Sequence, residues 1–210
     1  MESAFRDTCP SDLKVIETFG IGPNGATRWP AHRARLITTC ARLAIPLDLE
    51  AVDAAVARLD GSVPLRVRLT VDLTGALRVV TVAITSVPEH WQIGLADQIV
   101  DEKDPWFTVK TTHRSLYDHT RAALPVGLDE MIFTNRSGFV SEGTVTTIFV
   151  QMNGVLLTPP LSAGVLPGIL RATMLKSIDV KEAHVRWADV EAAQAVFVGN
   201  SLRGLIRAIL

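Results

Sequence analysis

Lys110 lies in the stretch VKTT, between apolar Val109 and the hydroxyls Thr111 and Thr112. A lysine held by secondary structure in apolar surroundings can lose its proton near neutral pH and act as an imine-forming amine. Glu142, in FVSEGTV, is a lone carboxylate late in an apolar run and is followed by glycine. A buried acid needs a partner, either a cation or a protonated ligand nitrogen. In GVLPGIL a helix start would leave the amides of Gly168, Ile169 and Leu170 without intrahelical acceptors, at the positive end of the dipole, where an anion can sit. In VGNS, Gly199, Asn200 and Ser201 follow a strand and add a hydroxyl and further amides. Arg35, in HRARL, offers a planar charged fork to a phosphate. Taken singly, each also suits an ordinary role: a surface lysine, an edge acid, a helix start, a turn cap, a solvated arginine.

The elements that must position these groups are legible in the hydrophobic periodicity. Residues 13–21 read as a strand, and Pro23, Asn24 and Gly25 as a turn. Leu36, Cys40 and Leu43 mark a helix over 30–44, and 47–59 is a second, Ala-rich helix. Residues 66–85 alternate as a hairpin around Asp72-Leu73-Thr74-Gly75. Residues 91–100 form the next strand, 101–106 a charged loop, and 107–124 a strand end running into a helix that starts near His113. A β-rich run covers 129–158: strands 129–135 and 139–143, then a hairpin whose first arm begins at Thr144 and turns at Asn153-Gly154. Pro167 suits the first position of the following helix. A strand at 180–185, a helix at 187–194, a strand at 195–200 and a tail complete the chain. This pattern is α+β with α/β character, in two domains: residues 1–88, a small α+β layer, and residues 89–210, where a ligand groove between the two is expected.

Composition excludes several classes. The chain has 210 residues, 21 basic against 22 acidic, a net charge of −1, two Cys and five His. Near-neutrality gives no electrostatic footprint for nucleic acid. Two unclustered cysteines make neither a disulfide scaffold nor a zinc site, and no metal is expected. With 48% hydrophobic and 20% charged residues the chain is not disordered. No apolar stretch has the ~20 residues of a membrane helix, and MESAFRDTCP lacks a signal-peptide core. A soluble, cytoplasmic protein with no membrane or nucleic-acid partner is the expectation.

As an ordered set, the motifs resemble the fold-type IV (class IV) aminotransferases: HRARL, KTTHRSLYD, EG after a strand, TPPL…GVLPGILR, and GNSLRG. Any one of these is weak; in order around one cofactor they are specific. The resemblance runs from about Ile16 to Arg203, and KTTHRSLYD and GNSLRGL look most like the 4-amino-4-deoxychorismate lyase members.

It implies a D-amino acid aminotransferase-like architecture, with a C-terminal β-rich pseudo-barrel that binds pyridoxal 5'-phosphate. Lys110 matches the lysine that holds the cofactor covalently and moves the α-proton, and Glu142 the acid facing the pyridine nitrogen. Arg35, Gly168, Ile169, Leu170, Asn200 and Ser201 match the phosphate side. The family often has Asn where Thr147 stands, Thr in the branched-chain enzymes where Leu170 stands, and a Tyr soon after the lysine. Here the sole Tyr is Tyr117, further along, and His113 or Arg114 takes that space and is a candidate substrate contact. Arg28, Arg66 and Arg68 are further candidates for a substrate carboxylate.

The activity implied is β-elimination giving 4-aminobenzoate and pyruvate, in folate biosynthesis. The alternatives are a branched-chain or D-amino acid aminotransferase, or a non-catalytic cofactor-binding homologue. The resemblance also implies a homodimer and a small-molecule amino substrate.

Overall fold

A computed structural model of the chain describes residues 1–84 and 89–210. It divides into two compact units: Met1–Ser86 with Val109–His113, and Val87–Thr108 with Arg114–Leu210. The domain boundary expected at residue 88 lies outside the described residues. The segment Val109–His113, expected in the second domain, belongs with the first unit. The reason is local: Ile16 donates its amide to the Lys110 carbonyl (2.9 Å) and Thr112 donates to the Lys14 carbonyl (2.9 Å). The segment is therefore stitched along an edge of the first strand.

The first unit opens with a short helix α1 (Ser3–Arg6), followed by β1 (Lys14–Gly22) and β2 (Gly25–Ala26). Two helices come next, α2 (Trp29–Arg42) and α3 (Leu49–Ala57), and then β3 (Leu65–Asp72) and β4 (Leu77–Ala83). The sheet order is β2-β1-β3-β4, and its long pairs are antiparallel. Helix α2 buries His32, Leu36, Thr39 and Cys40, which recur at helical spacing on one face. Asp48 caps α3 by accepting the Ala51 amide at 2.9 Å. At the β3–β4 turn, Asp72 Oδ1 accepts the amides of Thr74 and Ala76 and the Thr74 hydroxyl, and Gly75 takes φ +87°.

The second unit holds β5 (His90–Val100), α4 (Ser115–Ala122), β6 (Glu130–Asn135), β7 (Val140–Gly143), β8 (Thr147–Met152) and β9 (Val155–Thr158). It continues with α5 (Ile169–Met174), β10 (Val180–Glu182), α6 (Trp187–Glu191), β11 (Ala195–Asn200) and β12 (Gly204–Ile209). Its eight strands form one curled sheet in the order β10-β9-β8-β11-β12-β5-β6-β7, a half-barrel as the resemblance implied. The core includes Ile93, Ile132, Val140, Ile148, Val198 and Ile206. The Asn153-Gly154 turn joins β8 to β9 with both residues at positive φ (50° and 78°), as a two-residue hairpin requires.

Four sequence expectations need correction. The tail is not a tail: 204–209 is a sheet strand paired with β11 and β5, with Ile206 and Ala208 buried. Helix α4 starts at Ser115 rather than near His113, and its approach is a 3-10 turn (Pro105–Thr108) and an isolated bridge at Thr111 rather than a strand end. β8 begins at Thr147, because 144–146 is drawn out of extended pairing to bond a buried carboxylate. Pro167 precedes the N-cap of α5, which is Gly168, so it is not the first helical residue.

Candidate active site

In the first unit, the alternation of β1 sends Glu17 to the face covered by α2. His32 and Arg35, three residues apart on α2, share one helix face and both reach it. Arg35 grips the carboxylate with two parallel donors, Nε to Oε1 at 2.8 Å and a terminal nitrogen to Oε2 at 2.7 Å. His32 Nδ1 lies 2.6 Å from the same Oε2. Glu17 and His32 are each 1% exposed, and the Arg35 side chain 11%. Burial opposes ionisation of Glu17, but the Arg35 charge and the bonds from Arg35 and His32 outweigh it and hold its carboxyl below the ordinary range. Arg35, expected on a phosphate, is thus oriented first by a carboxylate that sequence reading passed over.

Lys110 is half-buried between buried Val109 and Thr111. Its backbone is held against Ile16, the neighbour of Glu17 in β1. His113 is exposed, and its amide donates to Thr111 Oγ1 at 3.2 Å. Arg28 caps α2 at φ 54°, and Arg66 and Arg68 are exposed on β3.

In the second unit, all four residues of β7 are buried. Glu142, 6% exposed, accepts the Tyr117 phenol on Oε1 at 2.6 Å and the Leu166 amide on Oε2 at 3.1 Å. One residue earlier, the Ser141 hydroxyl donates to the Gly164 carbonyl at 2.9 Å, tying the strand to the segment before α5. The loop after Glu142 is held from below by Glu130, fully buried, which accepts five hydrogen bonds: the amides of Met131, Thr144 and Val145 and the hydroxyls of Thr144 and Thr146. Gly143 is obligatory there, since a Cβ would stand 2.5 Å from Thr146 Oγ1 and 2.8 Å from the Glu130 carboxyl carbon.

Helix α4 clamps the same loop. Arg114 donates to the Thr144 carbonyl (2.8 Å) and pairs with Asp118 (2.9 Å), and Arg121 donates to Thr144 Oγ1 (3.1 Å). Arg114, expected as a substrate contact, is therefore engaged with the protein.

At α5, Gly168 is the N-cap and donates its amide to the Leu166 carbonyl, so it is turned inward. Ile169 and Leu170 occupy the first turn, where amides have no i−4 carbonyl to reach. Arg171 anchors the helix, donating twice to the Pro159 carbonyl and pairing with Glu182. The end of β11 meets this helix: a Cβ on Gly199 would stand 2.8 Å from Leu170 Cδ2. Asn200 shapes the turn rather than presenting its carbonyl to a ligand, because its Oδ1 already accepts the amides of Leu202 and Arg203 while Nδ2 donates to the Val145 carbonyl. Ser201 is buried in that turn.

The site residues thus fall into two groups: Arg35, Lys110 and His113 in the first unit, and Glu142, Arg114, Gly168, Ile169, Leu170, Asn200 and Ser201 in the second. Sequence reading missed Glu17, His32 and Glu130 and left Tyr117 unassigned. A lone acid inside an apolar strand, the signal that marked Glu142, also marks Glu17.

The curled half-barrel sheet is the architecture of the fold-type IV class of pyridoxal phosphate proteins. The class IV amino-transferase family model matches residues 14–209, and the chain belongs to that family. A solved structure from Mesorhizobium loti, named "Putative amino-acid aminotransferase", superposes with a TM-score of 0.87 at 34% identity, covering 95% of this chain and 100% of that one. A Methanocaldococcus jannaschii protein named "Putative branched-chain-amino-acid aminotransferase" is 38% identical over 85 residues, 38% of this chain and 30% of its own length. A Schizosaccharomyces pombe protein named "Putative aminodeoxychorismate lyase" is 27% identical over 116 residues, 52% of this chain and 50% of its own. The matches thus span half or less of these last two relatives.

Membership of that family makes the chain a pyridoxal phosphate-dependent enzyme. The second unit's residues suit that cofactor. A buried carboxylate late in a strand suits a protonated ring nitrogen, and first-turn amides beside close-packed glycines suit a phosphate. Among the described residues no helix is long and apolar enough to cross a membrane.

Proposed function

We propose that the protein is a lyase acting on 4-amino-4-deoxychorismate, releasing 4-aminobenzoate and pyruvate. When bound, pyridoxal phosphate supplies an aldehyde that condenses with an amine and a ring that accepts the electron pair left at the neighbouring carbon. Lys110 is the residue that holds the cofactor, and its amine, once displaced by substrate, removes the proton from the amine-bearing carbon. Departure of the enolpyruvyl oxygen from the adjacent carbon then leaves an aromatic ring. Glu142 holds the proton on the pyridine nitrogen, and Ile169, Leu170 and Ser201 hold the phosphate. The protein works in the cytoplasm as a homodimer, on a small amino substrate.

The observation that carries this reading is the KTTHRSLYD and GNSLRGL pairing, supported by the longer stretch over which the lyase relative aligns: 52% of this chain against 38% for the M. jannaschii protein. The full-length likeness to the M. loti structure favours a second reading, an aminotransferase.

The test is pyruvate release from 4-amino-4-deoxychorismate by protein loaded with pyridoxal phosphate, with Lys110→Ala as control. Release that needs Lys110 is expected. Absence of release, with amino acids converting the cofactor to its pyridoxamine form, would transfer the assignment to the aminotransferase. Release undiminished in Lys110→Ala would remove the lysine from its role.

A further inference from the structure

We propose that Tyr117 is a positioning residue for the cofactor's acid: its phenol on Oε1 of Glu142, with the Leu166 amide on Oε2, fixes the plane of that carboxylate and keeps it an ionised acceptor. The inference deepens the reading above and rests on Glu142 being the partner of the pyridine nitrogen.

The geometry is built from three directions. The phenol oxygen lies 2.6 Å from Oε1 and the amide nitrogen 3.1 Å from Oε2, so each carboxylate oxygen receives a donor. Donors to a carboxylate stabilise its charged form and oppose its protonation. A proton shared between this carboxylate and a ring nitrogen is therefore driven onto the nitrogen, which is the state in which the ring withdraws electrons best.

The phenol cannot drift from its post. Phe107 and Phe133 meet the Tyr117 ring edge-on at 5.8 and 5.5 Å, and the Arg114 guanidinium lies 5.1 Å from its centroid. Arg114 in turn donates to the Thr144 carbonyl, so the tyrosine's helix and the loop following Glu142 are fastened together. Nor does the phenol stop being a donor, since burial and the Glu142 charge hold its proton well above the ordinary value of 10.

Tyr117 is the only tyrosine in the chain, so growth on 3-fluorotyrosine replaces this one phenol with a more acidic and stronger donor. The experiment compares wild type, Tyr117→Phe, the fluorotyrosine protein and Glu142→Gln. Each is reconstituted with pyridoxal phosphate labelled with nitrogen-15 in the ring, and the ring-nitrogen resonance is recorded at neutral pH. Tyr117→Phe is expected to move the resonance toward that of unprotonated pyridine, and fluorotyrosine to move it the opposite way.

A folded Tyr117→Phe protein with the wild-type resonance overturns the proposal. Should that variant fail to fold, the fluorotyrosine protein decides alone: a shift toward protonated pyridine supports the proposal, and no shift or the reverse overturns it. If Glu142→Gln leaves the resonance in place, the assignment of Glu142 has failed and the proposal falls with it. If Glu142→Gln moves the resonance while Tyr117→Phe does not, only the tyrosine's role has failed.

Discussion

Replacing Glu17 with Gln keeps the size of the side chain and removes its charge. The Arg35 guanidinium then sits 11% exposed with its two-pronged acceptor neutralised. Breaking a buried ion pair from one side costs about 3–5 kcal/mol, because the remaining charge stays desolvated. The residual water access of Arg35 puts the expectation at the lower end, about 3 kcal/mol. For a chain of this size each kcal/mol moves the melting temperature by about 2–4 °C, so the variant should melt about 6–12 °C lower at pH 7.

The pH dependence follows from the sign of the shift. Glu17 has a depressed pKa in the folded state, so its contribution is complete above the ordinary value of 4.5 and is lost as pH falls through the lower folded value. The gap between wild type and Glu17→Gln should therefore be full at neutral pH and close in acid. Calorimetry across pH 3–8 measures it, and a cycle with Arg35→Met should show coupling of about 2 kcal/mol. A gap under about 2 °C at pH 7, or one that persists unchanged into acid, would refute the account of the pair as a charged, buried unit.

Other outcomes can be checked more briefly. Gly143→Ala should destabilise by about 1–3 kcal/mol, read by denaturant unfolding, because the new methyl meets two groups already bound into the Glu130 network. The same variant should weaken pyridoxal phosphate binding through the displaced Glu142, measured by tryptophan fluorescence. Of the two thiols only Cys9, half-exposed, should react with a disulfide reagent at pH 8. Burial and the nearby Glu17 charge push the Cys40 thiol up to about 11, leaving about one part in a thousand as thiolate at pH 8. Cys40 should react fully once the protein is unfolded.

Most of the fold was legible because its elements carry strong local signals. The 3.6-residue spacing of Leu36, Cys40 and Leu43, the Asp72–Gly75 turn and Asn153-Gly154 each specify structure within a few residues. What escaped depends on distant partners. Strand β12 sets adjacent apolar residues Leu205 and Ile206 on opposite faces, so nothing local distinguishes it from a tail. Thr144 and Thr146 have good β propensity, and only the buried Glu130, fourteen or more residues earlier in the chain, pulls them into a loop.

The site shows the same division. Lys110, Glu142 and the α5 start stand out by residue type and order. Arg35 could be named, but not its hold on Glu17, eighteen residues away. Asn200 could be named too, but its side chain answers to backbone groups that only the folded turn brings near. Tyr117 could not be assigned by spacing from the lysine, because its role is set by a carboxylate on another element.

The place of β12 in the second sheet has a consequence for how that sheet comes apart. β12 joins β11 over five residue pairs but meets β5 over only three, from Arg207 opposite His90 to Ile209 opposite Gln92. This parallel seam is what pairs the block β10-β9-β8-β11-β12 with the block β5-β6-β7. It joins segments more than a hundred residues apart, so the entropy of closing it falls late in folding. The amides of the seam should exchange with solvent faster than those of the neighbouring antiparallel ladder, by partial openings that leave each block folded. The sheet thus carries, near its middle, a short parallel join between segments that the chain brings together only from its far ends.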